Sequence, residues 1–562
     1  MGGSIYQRNL VKNWIITQAN NNSKIIILAT RLLWLHIIRL LSQDNPLPKI
    51  NQTYLLTFFR HCSAPSIPKV DVDLQATVNL LGWGGLAKPQ WNLQICKYLA
   101  NEYLVNLKNH AKFNYWQYTL KFLKWKVEIL NIDKKIKKKL LGSIYAIMKH
   151  VYSNQPYDIN TFSEDIRQYV EQFTTCLQQL VSRSRENHPD FYLEKITFFY
   201  LLKRETNDTL DIKIIPQSSF TRKHITIDKK VGEELLKVIN LYQKDLSKQQ
   251  QFSILFNYKP PPNYQVKIYK TDGVSVSITL EKQSTMDVCE ESIINNNIIG
   301  IIQQLTTENN TNVFQPMDVD EPVRIIGVDL GRKDVFMSIN HPEKNQCTVQ
   351  YRSCKRWQFE SGLTRCNRVI EQWKEKDHDI SNLEEELTHF VQSSEADRSR
   401  MHWQHVYDNI RVIENFYFRQ RHYRLRFWMY NRRQQALHKM CRYIGDRTDI
   451  IAIGNPEFSS VSRGYAPTPA KTTVRKLQQL FPNKVKLIDE YNTSKLCSNC
   501  YLPLKFTKMK MPGGGLNYRV QRCNRCSMYW NRDVNAARNM RALFVYEQEN
   551  HNQRMLQFER PN

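Results

Sequence analysis

The chain has 562 residues, with 80 Lys plus Arg against 53 Asp plus Glu and a formal net charge of +27. That length calls for about three or four domains with their own cores and excludes a small disulfide-stapled scaffold. So large a cationic excess, with 11% aromatic residues, points to nucleic acid rather than an anionic membrane surface, because Lys and Arg contacts to phosphate release counterions and dominate affinity.

The N-terminus lacks the basic, apolar, small-residue order of a signal peptide. Eight of the 12 cysteines are scattered singly, which fits reduced intracellular thiols. Ile25 to Leu41 is the most apolar stretch, but Arg31, His36 and Arg39 interrupt it, so a buried or amphipathic helix is expected there rather than a membrane span. Residues 1–90 have no further placement than this.

Residues 91–185 read as a helical domain. From Glu102 to Ile129, Leu104, Phe113, Trp116, Leu120 and Leu123 recur at helical spacing among lysines that include Lys121 and Lys124. Those two are candidate phosphate contacts; a solvated basic face is the plain alternative. Lys134, Lys135 and Lys137 to Lys139 form a basic run, which suits a nuclear address, a phosphate patch or a helix end. Alternating apolar residues over Phe191–Tyr200 and Ile212–Ile227 predict strands, making 186–282 a β-containing domain. Residues 283–322 contain no Lys or Arg and many acidic and amide residues, the composition of an interdomain linker.

Beyond the linker, strands alternate with helices as in an α/β unit over 323–494. Strands are expected at Val323–Gly331, Cys347–Arg352, Asp449–Ile453 and Val485–Ile488, with a helical insertion over 380–445 and a helix at Ala470–Leu480. The insertion carries Arg419, Arg421, Arg424, Arg426, Arg432 and Arg433 on several helical faces, which suits a phosphate-lined groove. Asp329 ends an apolar strand, where an acid is costly to bury unless it binds a cation or pairs. The surrounding Ile-Gly-Val-Asp-Leu-Gly also resembles the first phosphate loop of actin-like ATPases, but no second such loop follows.

Glu490 follows the strand Val485–Ile488, with Asp489 as its rival, since strand neighbours point to opposite faces. Cys497, Cys500, Cys523 and Cys526 form two C-x2-C knuckles that suit one structural Zn²⁺ in a ribbon over 495–530. Asp533 then opens a final helix over 531–546, ahead of a tail at 547–562. Carboxylates from separate elements meeting at one point are what metal-dependent phosphodiester hydrolysis requires.

These motifs resemble a known family. Gly-Val-Asp329-Leu-Gly is similar to the first motif of the RuvC nuclease fold. The ribbon with Asn-Arg-Asp533-Val-Asn-Ala-Ala resembles the C-terminal zinc finger and third motif of TnpB-type RNA-guided nucleases. The segments Gly464–Lys471 and Ile488–Cys497 resemble Fanzor, the eukaryotic branch. The resemblance is specific over about 320–545.

It implies a multidomain α+β and α/β protein. A wedge-like β domain with a helical recognition insert would precede a RuvC, RNase H-like domain carrying the inserted zinc ribbon. It also implies two catalytic Mg²⁺ ions, one Zn²⁺, a guide RNA of the omega type, a double-stranded DNA target beside a short motif, a monomeric ribonucleoprotein and a nuclear location. Where TnpB has its second acid, this chain has Gly454. The resemblance moves that role to Glu490, with Glu457 as the alternative. Two other functions stay open: a catalytically impaired RNA-guided or plain DNA-binding protein, and an unguided RuvC-like resolvase or transposon nuclease.

Overall fold

The computed structural model describes residues 5–62, 72–81, 93–153, 158–185, 190–256, 258, 260–282, 324–331, 333–340, 348–389, 393–455, 468–506, 517 and 519–560. The chain is a mixed α+β multidomain protein that divides into two compact units. One comprises residues 1–285 and 372–424; the other comprises 286–371 and 425–562. The linker expected at 283–322 and Glu457 lie outside the described residues, as does the first half of the Gly464–Lys471 segment.

The first unit is built around the helix Ile5–Ser42. By length and composition this helix could cross a membrane, yet its most apolar window is almost wholly buried in protein. The interrupting polar residues are satisfied inside the fold. Arg31 donates to the carbonyls of Ile27 at 2.9 Å and Ser218 at 3.2 Å. His36 bridges the hydroxyls of Thr77 and Tyr54, both at 2.8 Å. Arg39 donates to Thr77 at 2.8 Å and to the Asp73 carbonyl at 2.7 Å. Charge inside a helix of this kind is tolerated because each group has a fixed partner.

The helix Leu93–Ile129 buries Leu107, Ala111, Phe122, Leu123 and Val127, and leaves Phe113 and Trp116 exposed. The expected strand at Phe191–Tyr200 is instead part of a helix, Phe191–Glu205. Burial of nearly every residue from Leu193 to Lys203 masks the helical period behind that apparent alternation, and packing on all sides decided the matter. Of Ile212–Ile227, only Ile225–Ile227 (β1) is a strand. It pairs antiparallel with Tyr264–Thr271 (β2), which pairs antiparallel with Val276–Lys282 (β3). The β content of 186–282 is therefore one small sheet, and residues 1–90, 91–185 and 186–282 fall in a single compact unit. Residues 380–424 of the insertion expected over 380–445 join that unit as well: Trp403 donates its indole N–H to the Leu28 carbonyl at 3.3 Å. Periodicity shows that a helix has an apolar face, but not which core that face meets.

In the second unit, five strands form a sheet in the order β6-β5-β4-β7-β8. They are Ile325–Asp329 (β4), Asp334–Ile339 (β5), Val349–Ser353 (β6), Ile450–Gly454 (β7) and Val485–Ile488 (β8). The hairpin strands β4, β5 and β6 are antiparallel, whereas β4–β7 and β7–β8 are parallel. This is the RNase H-like arrangement.

Alternation splits the sheet residues between two cores. Ile326, Val328, Ile451 and Ile453 pack with Leu437, Met440, Ile444 and Leu477 on one face. Ile325, Ile450 and Ala452 pack with Ala536, Met540, Leu543 and Phe544 of the helix Arg532–Glu549 on the other. Arg324 clamps the Asp449 carboxylate through two bonds of 2.6 and 2.7 Å, fixing the β4–β7 register at the end away from Asp329. A third sheet, β11-β10-β9, forms the ribbon from Lys505–Phe506 (β9), Val520–Arg522 (β10) and Tyr529–Asn531 (β11).

Candidate nuclease centre and zinc ribbon

Gly327 is where the final helix meets the sheet. A Cβ there would run into the Ala537 carbonyl and lie 2.8 Å from the Arg541 Cβ. Glycine on the strand and Ala536-Ala537 on the helix thus let two backbones approach closely. Asp329 lies two strand residues beyond Gly327, about 7 Å along. Asp533 lies four helix residues before Ala537, about 6 Å along. The two acids reach the same end of the interface, and Asp329 feels the charge of Asp533.

The second strand in the site is β7. Its last pair with β4 is Val328 with Ile453, so Asp329 and Gly454 follow side by side. Gly454 pairs with Ile488 of β8, and the chain turns two residues later at Glu490. A Cβ on Gly454 would collide with Glu490 Oε1 and come within 3.0 Å of its Cδ and 2.8 Å of Met540 Cε. The Glu490 carboxyl therefore fills the room left by the missing side chain. Asp489 faces elsewhere: Arg560 holds it with two bonds of 2.7 and 2.8 Å, which depresses its carboxyl to about 2.

Burial and then the charge of Asp489 push Glu490 up to about 7, and its buried Oε1 has no hydrogen-bond partner. Burial, followed by the charges of Asp533 and Glu490, pushes Asp329 well above the ordinary carboxylate range. Crowded, desolvated carboxylates with an orphaned oxygen suit cation binding, because a divalent ion relieves both penalties. Among the described residues, the four cysteines bring their ligand atoms all within 4.8 Å of one another. The three acids do not meet that spacing, but Asp329 feels the charges of both Asp533 and Glu490.

The motif around Asp533 also holds the local structure together. Asn531 caps the helix, accepting from the Asp533 and Val534 amides. Asn535 and Asn539 are fully buried, and each donates to the carbonyls of Thr493 and Leu496 at 2.7–3.2 Å. The Asn535 Oδ1 accepts from the Ser498 amide at 2.8 Å. These side chains bolt the segment between Glu490 and the first zinc knuckle onto the final helix. Two asparagines four apart beside Ala-Ala were the available signal.

In the ribbon, Cys500 and Cys523 sulfurs lie 3.5 Å apart, close to the edge of about 3.8 Å expected for a ZnS₄ tetrahedron. Tyr501 and Ser527, each just after a knuckle, adopt φ of 56° and 54°, the left-handed turn that closes each loop. Trp530 donates to the Cys497 sulfur at 3.3 Å and the Cys526 amide to the Cys523 sulfur at 3.4 Å. The cluster is compatible with one structural Zn²⁺.

The basic residues named above do not form one set. Arg419, Arg424, Arg432 and Arg433 are exposed, as is Lys124. Arg421 is partly buried over the rings of Trp373 at 4.6 Å and Phe416 at 5.4 Å. Arg426 is half-buried beside Cys366, and Lys121 donates to the Asp211 carbonyl at 3.1 Å. Arg421 and Lys121 are thus engaged by their own fold, which helical spacing does not disclose.

Residues 477–540 match the family model described as Cas12f1-like, TNB domain. That segment carries Glu490, the four cysteines and Asp533. No curated protein matches the chain. Among solved structures, the chain is similar to one described as "Crystal structure of AacC2c1-sgRNA binary complex". The identity is 11% and the TM-score 0.28, over 94% of this chain and 87% of that one. Likeness at that level carries no argument about function. The five-stranded mixed sheet has the strand order and directions of an RNase H-like fold, and residues 477–540 are similar to a Cas12f1-like TNB domain.

Proposed function

We propose that the protein is an RNA-guided DNA endonuclease of the TnpB-like group, on the Fanzor branch. The observation that carries this reading is the seating of Glu490 over Gly454, beside Asp329 and within the segment that matches the Cas12f1-like domain. Asp329, Glu490 and Asp533 are the residues that would hold two Mg²⁺ ions. A magnesium ion held by these carboxylates would supply activation of water and neutralisation of the charge on the leaving oxygen.

The chain's own contribution is positional. Strands β4 and β7 present Asp329 and a vacancy, the loop after β8 fills that vacancy with a carboxylate, and the final helix brings Asp533. Guide RNA would pair with one strand of a double-stranded target next to a short motif, and the cationic surface would grip backbone rather than bases. A monomeric ribonucleoprotein acting in the nucleus completes the proposal.

The test is to purify the protein with its co-purifying RNA and measure cleavage of matched DNA. Asp329→Ala and Asp533→Ala should abolish cutting while retaining RNA and DNA binding. Cutting that persists in either variant overturns the assignment of the acids. Cutting that needs no discrete RNA overturns the guide and leaves an unguided nuclease.

A further inference from the structure

Asp533 is already paired, and its partner comes from the zinc ribbon. Arg519 Nη2 donates to Asp533 Oδ2 at 2.6 Å and also to Asp334 Oδ2. Asp334 begins β5 and is 7% exposed. The Arg519 backbone is itself fixed: its carbonyl accepts from the Arg532 amide at 2.8 Å, and its amide donates to Asn517 Oδ1 at 3.1 Å. Both carboxylates push the guanidinium above its ordinary range, although burial opposes them. A positive group thus sits against a carboxylate offered to a cation, held there by a second acid with no other assigned part.

We propose that Asp334 is a positioning residue that shares Arg519 with Asp533, so that a divalent cation gains Asp533 only when the Arg519–Asp533 pair opens. This rests on the metal-site reading given above. With Asp334 present, Arg519 leaving Asp533 keeps one anionic partner, and opening costs less than full desolvation of an unpaired guanidinium. With Asp334 neutral, Asp533 becomes the sole anion for Arg519, and the pair tightens. Removing the guanidinium leaves Asp533 open. Asp334 and Arg519 therefore act on cation affinity in opposite directions, and Asp334 acts through Arg519.

The test uses Mn²⁺ as the probe, titrated into the full chain without nucleic acid and followed by electron paramagnetic resonance, with zinc content checked in each variant. The site is identified as Mn²⁺ binding that Asp329→Asn removes. Arg519→Gln should tighten that binding by about fivefold or more and Asp334→Asn should weaken it, the range expected of coupled sites. The double variant should match Arg519→Gln, and Arg519→Lys, which keeps the charge, should stay near wild type. Shifts in the same direction for the two single variants, or an unchanged affinity in Arg519→Gln, overturn this inference while leaving the metal site intact. Absence of any Asp329-dependent binding in all variants overturns the metal-site reading and this inference with it.

Discussion

The carboxyl of Glu490 lies where a side chain on Gly454 would have to go, with Glu490 Cδ 3.0 Å from the position of a Cβ there. One residue is small because the other is acidic and folds back. Gly454→Ala should expel the carboxylate, costing about 1–3 kcal/mol from overpacking. Cleavage should fall by about 100-fold or more, as expected when a reacting group is misplaced by an ångström. The exchange Gly454→Asp with Glu490→Gly should recover part of the activity that Glu490→Gly loses. Wild-type cleavage rates in Gly454→Ala would falsify the assignment of that seat to a catalytic acid.

The acids also predict how stability depends on pH. Glu490 is raised to about 7 in the folded protein, against an ordinary value of 4.5. Between those values the native state holds a proton that the unfolded state has released, so stability falls as pH rises through the window. Asp329 shifts in the same direction and adds to the trend. Thermal unfolding of the metal-free protein should show a midpoint that drops from pH 5 to pH 8, with a shallower slope in Glu490→Gln. A flat wild-type profile would contradict it.

Cation binding should release protons for the same reason, since the ligands must be ionised. Magnesium titrations near pH 6.5, run in buffers of different ionisation enthalpy, should report release of about one proton or more per chain. The release should shrink by pH 8.5. Heats independent of buffer would mean that the cation binds elsewhere.

Asn535 and Asn539 share two carbonyl acceptors, those of Thr493 and Leu496. Either single Asn→Ala change leaves the other asparagine on both carbonyls and should cost about 1 kcal/mol, whereas the double change strands them and should cost about 1–3 kcal/mol more. The pair should be non-additive, because they serve the same acceptors. Amide exchange measured by mass spectrometry should rise over residues 490–498 in either variant. Unchanged protection there would leave these asparagines without the holding role.

Zinc removal should act on the acids through the ribbon. The four cysteine ligand atoms lie within 4.8 Å of one another, and β11 runs directly into Asn531, which caps the helix bearing Asp533. One zinc per chain is expected by elemental analysis, lost on Cys523→Ser or chelation. Cleavage and amide protection over 519–533 should fall together. Full activity in a zinc-free protein would separate the ribbon from the site.

How much was legible beforehand differs from element to element. The strand ending at Asp329, the helix Ala470–Leu480, the strand Val485–Ile488 and the final helix were all apparent from local pattern. Each has a clear period or cap, and these are local properties. The helix Phe191–Glu205 carries no legible helical period in its sequence, because it is buried nearly all round and shows no face. The roles of Gly327, Arg519 and Asp334 were invisible, since each depends on a partner at least 185 residues away in the chain.

The sequence by itself determined the ligand spacing of the ribbon, the apolar strand that delivers Asp329 and the break in pattern at Gly454. These are matters of covalent order and short-range periodicity. Only the tertiary structure decided that Glu490, not Asp489, turns toward the site, and that Asp533 arrives already paired with Arg519. Those outcomes depend on which side chain fits a vacancy and which charge lies opposite, and neither exists until distant strands and helices have packed.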